Sequence, residues 1–370
     1  MTNKAAIDYC IKLAKNGKEN EIRPNPFVGA IIVDQNGIIK GEGYHQKLGG
    51  AHAEVFAIEE ALLNKTDLST ATLFVSLEPC SHFGKTPPCC DLIIQNRIQK
   101  VVIGSLDPNP KVESIEKLKN AGIEVEVEIA PDAIALNRRF FTQHLKHRPY
   151  FILKTASTVD GKIADYEGNS KWISHSKSRA YVHDPLRTNV DAILSTYKTV
   201  LQDQAVLNIR KENEPAKETN VIIIDRSLKL LDPANADLPI FYERKNATLY
   251  FVTETIPSAV FPKYFKFIKG QFDENGLQFS SIHKQLLESG IYTILTEGGS
   301  KLNSSLIAQN SADELYWFIA PKLMNDSNSS YMFGHPTHTL LTDAIQLKLI
   351  SSSVIEEDVL LHYYFKQDQY

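Results

Sequence analysis

Residues 71–89 read Ala71-Thr-Leu-Phe-Val-Ser-Leu-Glu-Pro-Cys80-Ser-His-Phe-Gly-Lys-Thr-Pro-Pro-Cys89. Ala71 to Leu77 is an apolar run of strand length, and Pro79 stops it. Pro87-Pro88 then opens a helix predicted from Cys89 to Ile98. A strand that hands over to a helix through a thiol-bearing loop is half of a βαβ unit. Upstream, Val28–Val33 reads as a strand, Gln35-Asn-Gly37 as a hairpin turn, and Ile38–Tyr44 as its return. Gly49-Gly50 breaks the chain before a helix from about His52 to Leu63. Residues 4–16 form an amphipathic helix with Ala6, Ile7, Cys10, Leu13 and Ala14 on one side. Downstream come a strand at Val101–Leu106, a helix at 111–121 and a strand at Ile123–Ile129. Two opening strands followed by alternating helices and strands predict an α/β sandwich with a mostly parallel later half.

The pattern restarts near residue 145. His144-Leu-Lys-His-Arg-Pro149 is polar and proline-bearing, which suits a boundary. The expected domains are therefore 1–147 and 148–370. In the second, strands are predicted at Tyr150–Thr155, Asp191–Ser195, Val221–Asp225, Thr248–Thr253, Tyr292–Thr296 and Glu314–Ile319, with late strands at 346–354 and 358–365. Helices are predicted near 176–187, 277–289 and 299–309. The chain has 370 residues, 43% hydrophobic and 23% charged. That is material for two cores, given domains of ~100–200 residues. The net charge is −4, so no global basic excess marks a nucleic-acid partner. No apolar run approaches the ~20 residues of a membrane span. The start of the chain lacks the apolar stretch of a signal peptide, so a cytoplasmic location is expected.

Four cysteines, Cys10, Cys80, Cys89 and Cys90, are too few for a disulfide scaffold in a chain this long. Three of them cluster, and a cluster in a reducing compartment points to a metal. His52-Ala-Glu54 sits at one predicted helix start, Cys80 follows a strand, and Cys89 sits at the next helix start. One imidazole and two thiolates suit zinc, with a fourth position left for water. Helix N-termini at His52 and Cys89 favour negative charge there. Glu54 is too close along the chain to His52 to be a natural fourth ligand, and takes the general acid/base role that zinc deaminases give this Glu. Nucleobase deaminases of this kind carry Cys-x-x-Cys. Here eight residues separate Cys80 from Cys89, and the added loop carries His82 and Lys85. Cys90 competes with Cys89 as ligand, and adjacent helix positions point ~100° apart, so only one can serve. Cys10 belongs to the apolar face of the first helix.

Taken together, Arg23-Pro-Asn-Pro26, Val28-Gly29, Gly43, His45, His52-Ala-Glu54 and the 79–89 segment resemble the bifunctional riboflavin-biosynthesis deaminase/reductase. The second half adds Lys154-Thr-Ala-Ser-Thr-Val-Asp-Gly-Lys-Ile-Ala164, Asn169-Ser-Lys-Trp-Ile-Ser174, Leu186-Arg187 with Asp191-Ala-Ile-Leu194, and Glu297-Gly-Gly299. The resemblance implies a cytidine-deaminase-like α/β/α domain followed by a dihydrofolate-reductase-like α/β domain. It implies one Zn2+ per deaminase site, and NADPH in the reductase. Asn25, His45, His82, Lys85, Asp107 and Asn109 would contact a diaminopyrimidinone carrying ribosylamine 5′-phosphate. Lys154, Ser170, Arg187, Leu207, Arg210 and Glu297 would hold the deaminated ribotide. Ala156, Trp172, Thr199, Asp203, Gly298 and Gly299 would line the cofactor site. The partner expected is that small pyrimidine ribotide, with neither nucleic acid nor membrane, and the enzyme is expected to form a homo-oligomer. No Gly-x-Gly-x-x-Gly occurs in this half, which disfavours a standard Rossmann site. Two segments depart from the family: Asp203-Gln-Ala205 replaces Asp-Asp-Pro or Asp-Asn-Pro, and Ser195-Thr196 replaces Val-Gly. Two other readings fit the residues: a nucleoside or nucleic-acid deaminase, and a deaminase whose C-terminal half only binds ligand or assembles subunits.

Overall fold

The computed structural model describes residues 1–84, 87–212, 214–244, 246–334 and 340–366. The chain divides into two compact units, Met1–Lys146 and His147–Tyr370.

The first unit is a five-stranded sheet covered on both faces. In space its strands run Ile39–Tyr44, Gly29–Val33, Thr72–Val75, Lys100–Ile103, Glu124–Val127. The first three are antiparallel to their neighbours and the last three are parallel. Helix Asn3–Ala14 is N-capped by Thr2 and lays Ile7, Cys10, Ile11 and Leu13 on Ile31, Val33, Phe74 and Val102. The opposite face takes Ala53, Ala57, Ile58 and Ala61 from helix Ala53–Leu63, and Cys90 and Ile93 from helix Cys89–Gln95. Every residue of Gly29–Val33 is buried, as expected of a strand with cover on both sides. Helix Ala53–Leu63 lies hard on the hairpin. A Cβ at Gly41 would stand 2.1 Å from the Ala57 oxygen, and one at Gly43 2.5 Å from the Ala53 oxygen. Glycine on the strand and alanine on the helix thus set the height of His52 above the sheet.

Two helices, Pro131–Leu136 and Arg138–Leu145, were not expected. Between them stands buried Asn137, whose amide accepts from the Phe27 N–H at 2.8 Å and donates to the Phe27 carbonyl at 2.9 Å. It fastens the Arg23–Phe27 loop that carries Asn25.

The second unit holds a nine-stranded sheet, in spatial order Phe265–Lys269, Leu249–Thr253, Asn220–Ile224, Ala192–Thr196, Thr293–Thr296, Tyr150–Thr158, Ala312–Ala320, Asp358–Phe365, Leu347–Ile355. The first seven are parallel, and the last two close the sheet as an antiparallel hairpin. Parallel strands need crossovers, and helices Ser280–Glu288 and Ser300–Ala308 supply two of them. Buried apolar clusters lie on both faces. The helix expected over 176–187 stops at Tyr181. Asp184 has extended dihedrals (φ −147°, ψ 113°) immediately before Pro185, as the clash of a proline with its preceding residue demands. Arg148, taken from the sequence as part of a polar boundary, is buried and bidentate to Asp313 at 2.6 and 2.7 Å. No helix among the described residues is long and apolar enough to cross a membrane.

Candidate functional site

His52 precedes helix Ala53–Leu63 with extended backbone, and Cys89 is the first residue of its own helix, after Pro88. One donor atom from each of His52, Cys80 and Cys89 lies within 4.8 Å of the others. His52 Nδ1 is 3.2 Å from Cys89 Sγ and 3.6 Å from Cys80 Sγ. The Cys89 amide donates to Cys80 Sγ at 3.3 Å. The hydrogen bond between the two thiols pulls Cys80 down to about 4 and pushes Cys89 up. An imidazole and two sulfurs converging this closely fit zinc, in the three-ligand pattern that keeps one position open. The rival thiol is turned away: Cys90 Sγ donates to the Pro79 carbonyl at 3.8 Å, and burial pushes it up to about 12. Cys10 is buried against the Phe74 carbonyl.

Glu54, one turn position inside the helix, is 3% exposed. Burial raises its carboxyl above the usual range, and the nearby His52 charge opposes that rise. A buried carboxyl beside these donors is placed to take and return protons.

Around this cluster, Asn25 Nδ2 meets His45 Nε2 at 3.1 Å, and His45 Nδ1 donates to the Ala51 carbonyl at 3.1 Å. Burial lowers the His45 pKa; with Nδ1 donating to a carbonyl, Nε2 is the nitrogen that accepts from Asn25. The His45 and His52 rings stand edge to face, 5.4 Å apart. His82 is half-buried and its Nδ1 has no hydrogen-bond partner among the described residues. Lys85 lies outside the described residues. Asp107 accepts from the Asn109 N–H at 2.8 Å, and burial pushes its carboxyl up to about 7. The sequence reading missed Glu78. Its carboxylate accepts from the Asp107 N–H at 3.1 Å and from the Ser114 hydroxyl at 2.7 Å, bracing the 107–109 loop.

In the second unit the parallel register does the assembling. Thr296 is opposite Leu153, so Lys154 and Glu297 stand side by side one step further along adjacent strands. Lys154 Nζ is 3.2 Å from Glu297, and Arg187 grips both carboxylate oxygens at 2.6 and 3.0 Å. Burial would raise the Glu297 carboxyl, but the two cations overcome it and hold it well below the usual carboxylate range. Arg187 also donates to the Asn208 carbonyl and meets His183 Nδ1 at 3.3 Å. Leu207 is buried and Arg210 exposed. The Arg210 N–H donates to His183 Nδ1 at 3.0 Å. His183, four residues before Arg187 on the same turn, was missed although that spacing announces contact. Ser170 is half-buried in a loop with no regular structure.

Of the expected cofactor residues, Thr199 follows the end of strand Ala192–Thr196 and Gly298–Gly299 follow the end of strand Thr293–Thr296. Ala156 lies on strand Tyr150–Thr158. Trp172 is 63% exposed, with the Arg179 guanidinium 4.3 Å above its ring. Thr199 bonds Thr196 at 3.2 Å, and the Asp203 carbonyl accepts from Lys171. Gly298 and Gly299 join strand Thr293–Thr296 to helix Ser300–Ala308. A Cβ at Gly298 would stand 2.5 Å from Leu302, whereas one at Gly299 meets nothing within 4 Å. Open space beside a helix N-terminus fits a phosphate-bearing cofactor. The family departures have local roles here. Ser195 Oγ donates to the Glu297 carbonyl at 2.7 Å, Thr196 caps helix Tyr197–Asp203, and Gln204 ends it at φ +49°.

Residues 149–361 match the family model described as RibD C-terminal domain, and residues 1–105 match the cytidine and deoxycytidylate deaminase zinc-binding region. The chain is 38% identical over 365 residues to the riboflavin biosynthesis protein RibD of Actinobacillus pleuropneumoniae, covering 96% of this chain and 94% of that one. It is 33% identical over 361 residues to its Escherichia coli K12 counterpart, covering 95% and 96%. Among solved structures, a diaminohydroxyphosphoribosylaminopyrimidine deaminase/5-amino-6-(5-phosphoribosylamino)uracil reductase from Thermotoga maritima is 35% identical, with TM-score 0.78 over 98% of each chain. Acinetobacter baumannii RibD is 28% identical, with TM-score 0.78 over 99% of each.

Proposed function

The chain belongs to the RibD family of riboflavin-biosynthesis enzymes, which join a zinc deaminase to a reductase, and on that premise we propose how its residues divide the two steps. It is a bifunctional enzyme with a zinc-binding deaminase domain and a reductase domain of the NADPH-using type. Residues 1–147 carry the first step and 148–370 the second. The supporting observation is the convergence of His52, Cys80 and Cys89 beside the buried carboxyl of Glu54.

His52, Cys80 and Cys89 would hold the metal. Zinc, when bound, supplies the Lewis acidity that makes water a nucleophile near neutral pH. Glu54 would take a proton from water as it adds to the amine-bearing ring carbon of the diaminopyrimidinone ribotide and pass it to the ring nitrogen. It would then carry the proton of the added hydroxyl to the leaving nitrogen, so that the carbon–nitrogen bond breaks, the carbonyl forms and ammonia departs. With its amide nitrogen committed to His45, Asn25 offers its oxygen to the pyrimidine edge. Asp107 and Asn109 close the other side, and His82 and Lys85 take the phosphate.

In the reductase, NADPH supplies the hydride that C1′ of the ring-opened ribosylamine accepts. The protein's task is to position. Lys154 and Glu297 orient the sugar, Arg187 fixes Glu297, and Arg210 meets the phosphate. Ser170 and Leu207 complete the substrate side, while Ala156, Trp172, Thr199, Asp203 and the Gly298–Gly299 turn line the cofactor. The reading extends to a homo-oligomer in the cytoplasm, acting on a free ribotide rather than on nucleic acid or a membrane surface.

A coupled assay tests it. Pure zinc-loaded enzyme, given the pyrimidine ribotide and NADPH, should release ammonia and NADP in equal amounts. Ammonia from cytidine or RNA, with none from the ribotide, would establish a nucleoside or nucleic-acid deaminase. Ammonia without NADP would leave the C-terminal half a binding or assembly domain.

A further inference from the structure

Arg244 heads the largest side chains that are fully buried, at 0% exposure. It follows the short helix Pro239–Tyr242. Its hydrogen bonds among the described residues go to backbone carbonyls. Nη1 donates to Val206 at 3.1 Å and to Leu207 at 2.9 Å, Nη2 donates to Thr219, and Nε has no partner. Burying a guanidinium is costly, and an apolar side chain of similar volume usually serves packing better. Burial draws its pKa down to about 10, with Glu218 opposing and the Arg187 charge adding to the fall. It therefore stays cationic at neutral pH.

What this cation holds is unusual. Leu207 has φ +56°, a left-handed conformation that is strained for a non-glycine residue and persists only where its surroundings impose it. Three side chains impose it. Arg244 takes the carbonyls of Val206 and Leu207, Arg187 takes that of Asn208, and His183 takes the Arg210 N–H. Arg244 also ties this loop to Thr219, at the head of strand Asn220–Ile224. Arg187 and His183 grip the loop at the substrate cluster; Arg244 grips it from the buried side.

We propose that Arg244 is a positioning residue of the reductase: it fixes the backbone of residues 206–210 in the one conformation that presents Leu207 and Arg210 to the ribotide. This rests on the assignment of Leu207 and Arg210 to substrate. Arg244 touches no reacting group, so its removal should act on ribotide binding and spare the cofactor.

The test uses the full-length zinc-loaded enzyme, with the deaminated ribotide and NADPH varied separately. Arg244→Met should raise the KM for ribotide about tenfold, with kcat and the KM for NADPH within about twofold of the parent. Amide exchange should quicken over residues 206–211 and nowhere else in the unit. Arg210→Ala is run in parallel. If Arg210→Ala raises the ribotide KM and Arg244→Met does not, the positioning role falls alone. If Arg210→Ala leaves the KM unchanged, the loop does not hold the ribotide and both assignments fall. Equal losses in kcat and both KM values would make Arg244 a structural residue and overturn the proposal. Should Arg244→Met fail to fold, Arg244→Gln, shorter and with two donors at most for the three carbonyls, should raise the ribotide KM in the same pattern by a smaller factor, and an unchanged KM overturns the proposal. Failure of both to fold would likewise assign Arg244 to stability.

Discussion

The two sites of this chain are built on opposite plans. In the deaminase unit, on the proposed assignment, three metal donors and the acid/base carboxyl come from the protein itself, within 38 residues and three short segments. In the reductase unit the reactive hydride belongs to the cofactor, and the protein contributes a charge network drawn from strands, loops and turns between Lys154 and Glu297. Chemistry that rides on protein atoms demands particular residue types at fixed helix starts. Chemistry that rides on a cofactor demands only that distant side chains arrive together, and many arrangements do that. The first plan concentrates its sensitivity in single atoms; the second spreads it.

The largest effects should fall on the zinc ligands. Cys89→Ser should lose bound zinc and with it all measurable deamination, while Cys90→Ser should keep both, since Cys90 Sγ faces the Pro79 carbonyl. Metal analysis of the two purified variants decides it; the reverse pattern would move the ligand by one residue. Glu54→Gln comes next. It should retain one zinc per chain and lose about 10²–10⁴-fold in deamination rate, the range of a general acid/base. NADPH oxidation with the deaminated ribotide should not change. Zinc lost from this variant would make Glu54 a ligand and dissolve the contrast between the metal-holding and proton-moving groups.

The same contrast governs what the residues alone disclosed. Strand Gly29–Val33 and the Val221–Ile224 stretch are continuous apolar runs, and such runs are legible. So was the zinc cluster, because His52 and Cys89 stand at helix starts marked by Gly49-Gly50 and Pro87-Pro88, and Cys80 follows Pro79 in the loop after a strand. Phe265–Lys269 was not: as an edge strand it has one side open, and Phe-Lys-Phe-Ile-Lys lacks a continuous apolar run. The helices around Asn137 were missed because what holds them is tertiary, a side chain bonded to Phe27 across 110 residues. Arg244 gave no signal at all, since a lone arginine reads as surface. His183 did give one, its spacing from Arg187, and only the polar look of the segment hid it.

A smaller effect is expected on the reductase side. Glu297→Gln leaves Lys154 and Arg187 without their shared counter-charge. Removing one partner of a buried ion network costs more than the network's net worth, because the remaining charges stay buried. We expect kcat/KM for NADPH-dependent reduction to fall about tenfold to a hundredfold while ammonia release is unchanged. An equal loss in both activities would mean that the two sites are not independent. A loss beyond about 10³-fold would mean that Glu297 moves protons in the reaction, bringing the reductase closer to the deaminase plan.

The smallest effect is on stability, and it separates the units by pH. Burial first, then the charges of Arg187 and Arg210, pull His183 down to about 4, and burial with Arg148 does the same to His283. An unfolded histidine titrates near 6.5. Between about pH 6.5 and pH 4 the unfolded chain therefore binds protons that the folded chain refuses. The stability these two rings contribute is complete above about 6.5 and is lost as the pH falls toward 4. The chain has two tryptophans, Trp172 and Trp317, both in the second unit, so urea unfolding followed by tryptophan fluorescence reads that unit alone. The unfolding free energy should drop between pH 7 and pH 5, on the order of 1 kcal/mol per histidine. His183→Gln keeps an acceptor for the Arg210 N–H and cannot take a proton, so it should remove about half of the drop. An unchanged slope in that variant would mean that His183 is solvated enough to titrate normally, and that the loop it grips is looser than the Arg187 and Arg244 contacts imply.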